Sequence, residues 1–339
     1  MKRLTVILLS LLAVLSCEKV HQWPESGKEV DPTVIDASVD VSCEVDLDIE
    51  QIITKGSASP TYTDENAEKY LRRFLVDIYE ESQSTDNLVF SNVFTQEVTD
   101  HSNLTFKADL HTRKYKAVIW MDYVLKADEK DLYYLTSNGM SAIRTQPIAS
   151  YSGCDDFKDA QTVVFPFDLT DQTEWFAHIT IAIPSQRPVA KITFEAIDFE
   201  EFARKEGCPE GGFEEFAKNY QIHFIYNGYL PTGFNVLTQK LNDSQTGYHF
   251  DSTPSWIKST PDARLGFDYV FVNGEQSSVT VSVEIVSKKD GSVVNRSDGI
   301  VVPTYRGKET VVRDKFFTKD YNPGIGINPD FDGEFNVYV

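Results

Sequence analysis

Between residues 39 and 49 the chain alternates without a break. Val39, Val41, Cys43, Val45, Leu47 and Ile49 are apolar, and Asp40, Ser42, Glu44, Asp46 and Asp48 between them are polar. Successive side chains of a strand point to opposite faces, so this pattern predicts a half-buried β-strand, acidic toward solvent and aliphatic toward a core. Further stretches combine period-two alternation with β-branched and aromatic residues and are predicted strands: 70–80, 104–110, 115–125, 132–136, 176–183, 191–196, 222–229, 267–272, 279–286 and 334–339. Asn273-Gly274, Asp290-Gly291 and Asp332-Gly333 supply tight turns, since glycine accepts positive φ without steric cost. Helical pattern is confined to 198–205 and 213–219, and neither carries a long amphipathic stripe. Many strands with so little helix predict an all-β protein of two tandem antiparallel β-sandwich domains and disfavour a doubly wound α/β fold.

The segment Ala182-Ile-Pro-Ser-Gln-Arg-Pro188 places two prolines, neither with a ladder donor, close together after a predicted strand. It divides the chain into an N-terminal β-sandwich domain, 34–186, and a C-terminal one, 187–339. Ahead of them, residues 1–16 have a different character. Lys2 and Arg3 precede an apolar run over 4–15, which ends at Ser16-Cys17 and gives way at once to Glu18-Lys19. This is a signal-peptide layout. At ~1.5 Å per residue the run spans only about 18 Å as a helix, short of the ~30 Å hydrocarbon core. Val14-Leu15-Ser16-Cys17 also reads as a lipobox, in which the Cys17 thiol receives a diacylglyceryl group and becomes the first residue of the mature chain. The alternative is an ordinary secretory signal without lipid. On the lipobox reading, residues 17–33 are a lipid-anchored stalk, and the acyl chains hold the protein on a bilayer surface, each buried CH₂ contributing ~0.8 kcal/mol.

With 52 acidic against 32 basic residues the chain carries a formal charge of −20 and would be repelled by phosphate backbones, so nucleic acid is excluded as a partner. Setting Cys17 aside, Cys43, Cys154 and Cys208 are an odd number and cannot all be bridged; Cys43 sits on an apolar strand face, and a Cys154–Cys208 bridge stays open. No Cys-x-x-Cys, His-Glu-x-x-His, nucleophile elbow or phosphate-cradling loop is present, so neither a metal nor another cofactor is expected, and no catalytic residue is assigned. Asn328-Pro-Asp330-Phe-Asp332-Gly333 imitates the start of a calcium loop, but the position of its bidentate carboxylate falls on Val339. Trp23, Trp175 and Trp256, and the loops with Tyr151, Tyr248, Tyr305 and Tyr321, are candidates for stacking on sugar rings, or else aromatic caps on the cores. Trp120, which alternates with Val118 and Asp122, is core.

Several stretches together resemble a known family. His21-Gln-Trp-Pro-Glu25, the run from Tyr115 to Tyr123, Arg187-Pro-Val-Ala-Lys191, the run from Leu265 to Gly274, Val302-Pro303 with Arg306 and Thr310, and the run from Ile325 to Gly333 are similar, in order and spacing, to Bacteroidales surface lipoproteins related to fimbrillins and minor-fimbrium anchor subunits. The resemblance implies two transthyretin-like sandwiches, lipid-anchored in the outer membrane, that attach or terminate a fimbrium through contact with another subunit. It also implies strand addition, in which a segment of one subunit completes the sheet of the next. The sequence departs from the pattern of shaft subunits by ending in the predicted strand 334–339, and from the family's Arg-Asn at Arg306-Gly307. Arg72-Arg73 reads as a trypsin-like cleavage site that would free a groove, or as an ordinary polar pair in a strand or on its solvent face. The leading expectation is therefore a non-enzymatic fimbrial anchor or accessory lipoprotein. The alternatives are a glycan-binding lipoprotein of a nutrient-uptake system and a hydrolase with an unrecognised carboxylate pair.

Overall fold

The computed structural model describes residues 39–46, 67–81, 87–98, 104–171, 178–258, 260–318, 326–327 and 335–338. Expectations for the leader 1–16, the stalk 17–33 with Cys17 and Trp23, for Trp175, for Tyr321 and for the 328–333 turn lie outside the described residues. The strands of the N-terminal half are β1 (Val39–Asp46), β2 (Tyr70–Glu80), β3 (Asn87–Glu97), β4 (Leu104–Leu110), β5 (Lys114–Leu125), β6 (Tyr134–Leu135), β7 (Ile143–Thr145), β8 (Gln161–Asp168) and β9 (His178–Pro184). The C-terminal half contributes β10 (Val189–Ala196), β11 (Tyr220–Tyr226), β12 (Leu230–Asn235), β13 (Lys240–Gln245), β14 (His249–Ser252), β15 (Ser255–Trp256), β16 (Ala263–Phe271), β17 (Gln276–Ser287), β18 (Val293–Tyr305), β19 (Glu309–Asp314), β20 (Gly326–Ile327) and β21 (Phe335–Tyr338). Two short α-helices, α1 (Phe199–Lys205) and α2 (Phe213–Ala217), and three single-turn 3-10 helices, Ala67–Lys69, Ile148–Ser150 and Asp156–Lys158, complete the described elements. The protein is all-β, as the alternation predicts.

Five sheets form, in the strand orders β4-β1-β9, β3-β2-β5-β8, β13-β12-β7-β6, β14-β11-β17-β18 and β15-β16-β10-β19-β21-β20. Most ladders are antiparallel; β1–β9, β10–β19 and β19–β21 are parallel. The first core lies between β4 and the sheet of β2, β5 and β8. Phe74, Val76 and Ile78 meet Leu104, Phe106, Ala108, Tyr115, Ile119 and Val163 there. A second, larger core separates the β11–β17 sheet from the β10–β16 sheet, with Phe199, Phe202 and Phe213 of the helices packed against Phe224, Phe194 and Phe317. Each helix is therefore held by burying one apolar face, because neither is long enough to persist alone.

A third core joins the halves. β5 is buried on both faces: Tyr115, Ala117, Ile119 and Met121 face the first core, while Val118 and Trp120 face Tyr134, Ile143, Phe234, Val236 and Phe271. This explains the continuous apolar run Ala117-Val-Ile-Trp-Met121, since a strand covered on both sides loses polar alternation. Hairpin strands β6 and β7 from the N-terminal half then pair through Gly233↔Arg144 and Phe234↔Ile143 with β12, so one sheet draws on both halves. The proline-bracketed segment at 182–188 is tied down as well. Gln186 and Thr162 exchange backbone hydrogen bonds of 2.8 and 3.0 Å, and Arg187 Nε donates to both carboxylate oxygens of Asp159.

Arg72 and Arg73 are a pair within strand β2, but they neither face solvent nor offer an accessible cleavage site, because both lie buried in the sheet. Arg73 stands opposite Asp122 of β5 and donates to it from Nε and Nη2 at 2.8 and 2.6 Å, and from Nη1 to Asp131 at 2.7 Å. Arg72, across from Tyr123, lays its guanidinium 5.8 Å from that ring. A protease needs an extended, exposed segment, and a buried central strand does not offer one. The Arg306-Gly307 departure also has a local account: Gly307 adopts φ +68° in the turn between β18 and β19, where its amide donates to Val189 O at 2.9 Å. Asparagine tolerates that left-handed conformation, and glycine adopts it freely.

Candidate functional site

Strand β3 reads Asn-Leu-Val-Phe-Ser-Asn-Val-Phe-Thr-Gln-Glu. It pairs along its whole length with β2, from Leu71↔Glu97 to Glu80↔Asn87, and forms the end of its sheet among the described residues. Phe90 and Phe94 turn inward, with ring centroids 5.7 and 5.6 Å from Phe106. Leu88, Val89 and Val93 stay 48%, 41% and 58% exposed. The register irregularity between Ile78 and Tyr79 lets Val89 stand as an extra residue beside the ladder. Only Glu97, at the far end, is charged, and it pairs with Lys126.

Sheet edges present unpaired amides and carbonyls, and proteins ordinarily blunt them with lysine, proline or opposed charge. Three other edges among the described residues follow that rule. β8 carries Pro166 and ends in the Lys114–Asp168 pair. β18 carries Pro303 and Arg296, the latter bound to Glu284 and Asp298 at 2.5 and 2.6 Å. β4 carries Lys107. β3 is 11 residues long and has none of these between Asn87 and Gln96. It is thus an extended, apolar, chemically undefended edge, suited to accept a strand from another chain.

The aromatic candidates are placed differently. Trp256, in the two-residue strand β15, is half-buried with its ring 5.4 Å from that of Phe213. Tyr151 and Tyr248 are buried against each other, centroids 4.8 Å apart, and Tyr305 is half-buried with its hydroxyl accepting from Gln276. Tyr151 and Tyr248 are therefore core residues and cannot present a face to a sugar; the loop holding Tyr151 is drawn inward by polar anchors that the sequence does not advertise. Among the described residues, a ring that does stand in solvent is Tyr229, 77% exposed between β11 and β12, a position without any motif to single it out.

Carboxylates gather at the junction and are each engaged. Asp155 accepts from Tyr70 at 3.2 Å and from Tyr133 on the N-terminal side, while Asp156 accepts from Lys191 at 2.7 Å and Tyr269 at 2.9 Å on the C-terminal side. Burial pushes the Tyr133 hydroxyl far above its usual range, and the adjacent Asp155 carboxylate adds to it. Burial also draws Asp159 up, which the Arg187 charge opposes. Loop 151–160 is a keystone reaching to both sides, and Gly153 allows the close approach, since a Cβ there would sit 2.5 Å from the Phe250 ring. Among the described residues no group of three or more His, Cys, Asp or Glu could hold a metal ion. Cys154 and Cys208 are free thiols, and burial pushes the Cys154 thiol up to about 11.

A family profile matches residues 32–339, so the chain belongs to that family, described as a family of unknown function, DUF6562. No curated protein matches it. Among solved structures it is similar to the fimbrial anchor protein Mfa2 of Porphyromonas gingivalis, at 13% identity and a TM-score of 0.40 over 78% of this chain and 82% of that one. It is similar as well to the fimbrial tip protein Mfa3 of the same organism, at 10% identity and a TM-score of 0.40 over 79% and 81%. A candidate polysaccharide-binding protein of Bacteroides thetaiotaomicron is similar at 9% identity and a TM-score of 0.41 over 77% and 79%.

Proposed function

We propose that the chain is an outer-membrane-anchored surface lipoprotein of fimbrial anchor or accessory type, held by lipid on Cys17, and that it acts by protein–protein contact along β3 and catalyses no reaction. The carrying observation is the β3 edge: 11 residues, free of proline, uncharged until Glu97, with Leu88, Val89 and Val93 exposed. An incoming strand would gain main-chain hydrogen bonds from every second residue of β3 and apolar contact with the exposed side chains. On this reading the two sandwiches are 34–186 and 187–339, and the third core and the ionic keystone between the halves would let a load pass from one to the other.

The test pairs two variants expressed in a fimbriated host. Wild-type protein is expected in the detergent-extracted membrane fraction with filament subunits attached. Cys17→Ala should move it to the soluble fraction. Val93→Lys should leave it in the membrane with an unchanged melting temperature, because the side chain points to solvent, and strip it of filament. Undiminished filament recovery by Val93→Lys, or retention of Cys17→Ala in the membrane, would refute the contact edge or the anchor respectively.

A further inference from the structure

Lys158, in the keystone loop, and Asp268, on β16, form an ion pair almost wholly removed from solvent; their side chains are 2% and 0% exposed. Lys158 Nζ lies 2.6 Å from Asp268 Oδ1, donates to the Ser152 carbonyl at 2.9 Å and stands 3.7 Å from the centroid of the Tyr151 ring. Asp268 Oδ2 accepts from the Tyr151 and Tyr226 hydroxyls, each at 2.6 Å, and Oδ1 also accepts from the Tyr269 amide at 2.8 Å. An amine is thus held against a carboxyl group, away from water, with two hydroxyl donors fixed on the carboxyl oxygen it does not contact.

We propose that Lys158 and Asp268 condense with each other, forming an amide between Lys158 Nζ and Asp268 Cγ that covalently ties the keystone loop to the second sandwich. A charged pair without water carries a desolvation cost of several kcal/mol per ion, and moving one proton from ammonium to carboxylate removes both charges. That transfer generates the nucleophile and the electrophile together. Burial lowers the Lys158 ammonium, in the same direction, although the Asp268 charge opposes it. The free amine then attacks Cγ. Negative charge develops on Oδ2, where the Tyr151 and Tyr226 hydroxyls already point, an arrangement equivalent to an oxyanion hole. Burial and the Asp268 carboxylate keep both phenols neutral, far above their usual pKa, so they remain donors.

Oδ1 departs as water. Of the three ammonium protons two leave with that oxygen and one stays on the amide nitrogen, so ammonium plus carboxylate give amide plus one water, with no oxidant, reductant or cofactor. Fixed juxtaposition supplies the effective concentration that an ordinary amine and acid in water lack. The product would join positions 110 residues apart and restrict the unfolded chain much as a disulfide does, in a protein in which Cys154 and Cys208 are free.

The experiment is peptide mapping of the purified full chain after complete denaturation and proteolysis. The expected result is a branched peptide that contains Lys158 and Asp268 and is lighter by one water than its two linear parts. Lys158→Met should abolish it. Asp268→Asn should give the identical branched peptide, because ammonia then leaves in place of water. Tyr226→Phe should lower the branched fraction. Recovery of only the two linear peptides from the wild-type chain overturns the proposal whatever the variants do. So does a water loss that maps to Asp290-Gly291 or Asp332-Gly333, where an aspartyl-glycine step can cyclise on its own.

Discussion

Asp122→Ala is expected to destabilise the protein by about 3–5 kcal/mol, the usual cost of stranding one member of a buried ion pair. Asp122 is fully enclosed in the middle of β5 and takes two hydrogen bonds from Arg73 of β2. Burial raises its pKa, and the Arg73 hydrogen bonds and charge work against that rise. Without Asp122 the guanidinium keeps Asp131, which lies closer to the surface, and its Nε and Nη2 protons lose their acceptor. A truncation to alanine also opens space between the first and third cores. Urea unfolding followed by circular dichroism measures the loss. The control is the double replacement Arg73→Met, Asp122→Leu, which removes both charges and should recover most of the stability, because a buried pair contributes little relative to apolar residues of similar volume. A single variant that melts like wild type would show that water reaches the pair and that the sheet face is open there.

Trp120→Ala should cost about 3–5 kcal/mol as well, by a different route. Its ring is fully buried and lies 5.2 Å from Tyr134, 6.3 Å from Phe271 and 6.4 Å from Phe234, centroid to centroid. Tyr134 belongs to the N-terminal half; Phe234 and Phe271 belong to the C-terminal half. The cavity would therefore open where the two sandwiches meet, and it should split the calorimetric transition of the wild-type chain into two. A lower but still single transition would show that the keystone ion pairs alone couple the halves.

Much of this fold is legible along the chain. The run 70–80 alternates into β2 with the same bounds, 104–110 into β4, and both short helices fall where the apolar spacing changes. What escapes notice does so for physical reasons. β18 has Asn295-Arg296-Ser297-Asp298-Gly299 at its centre, a polar stretch that reads as a loop but hydrogen-bonds to β17 because its outer face is solvated. β12 and β13 carry Pro231, Gly233 and Asp243, which hide a hairpin whose strands bend at register shifts. Arg73 looks like a solvent-face residue, since alternation shows that two faces exist and cannot show that a second core covers the outer one. β3 is missed because Asn87, Ser91, Asn92 and Gln96 dilute its apolar positions. The same polar residues make the exposed face of the edge less apolar, so the character of β3 and the weakness of its sequence signal have one cause.

The central claim is that β3 receives a strand from another chain. Hydrogen–deuterium exchange on the membrane-extracted protein, with and without its filament, tests it amide by amide. The account predicts that those β3 amides between Asn87 and Glu97 that point away from β2 exchange fast in the free protein and become strongly protected in the complex, with β18 and β8 unchanged. Protection that appears elsewhere while β3 exchanges as before would contradict it.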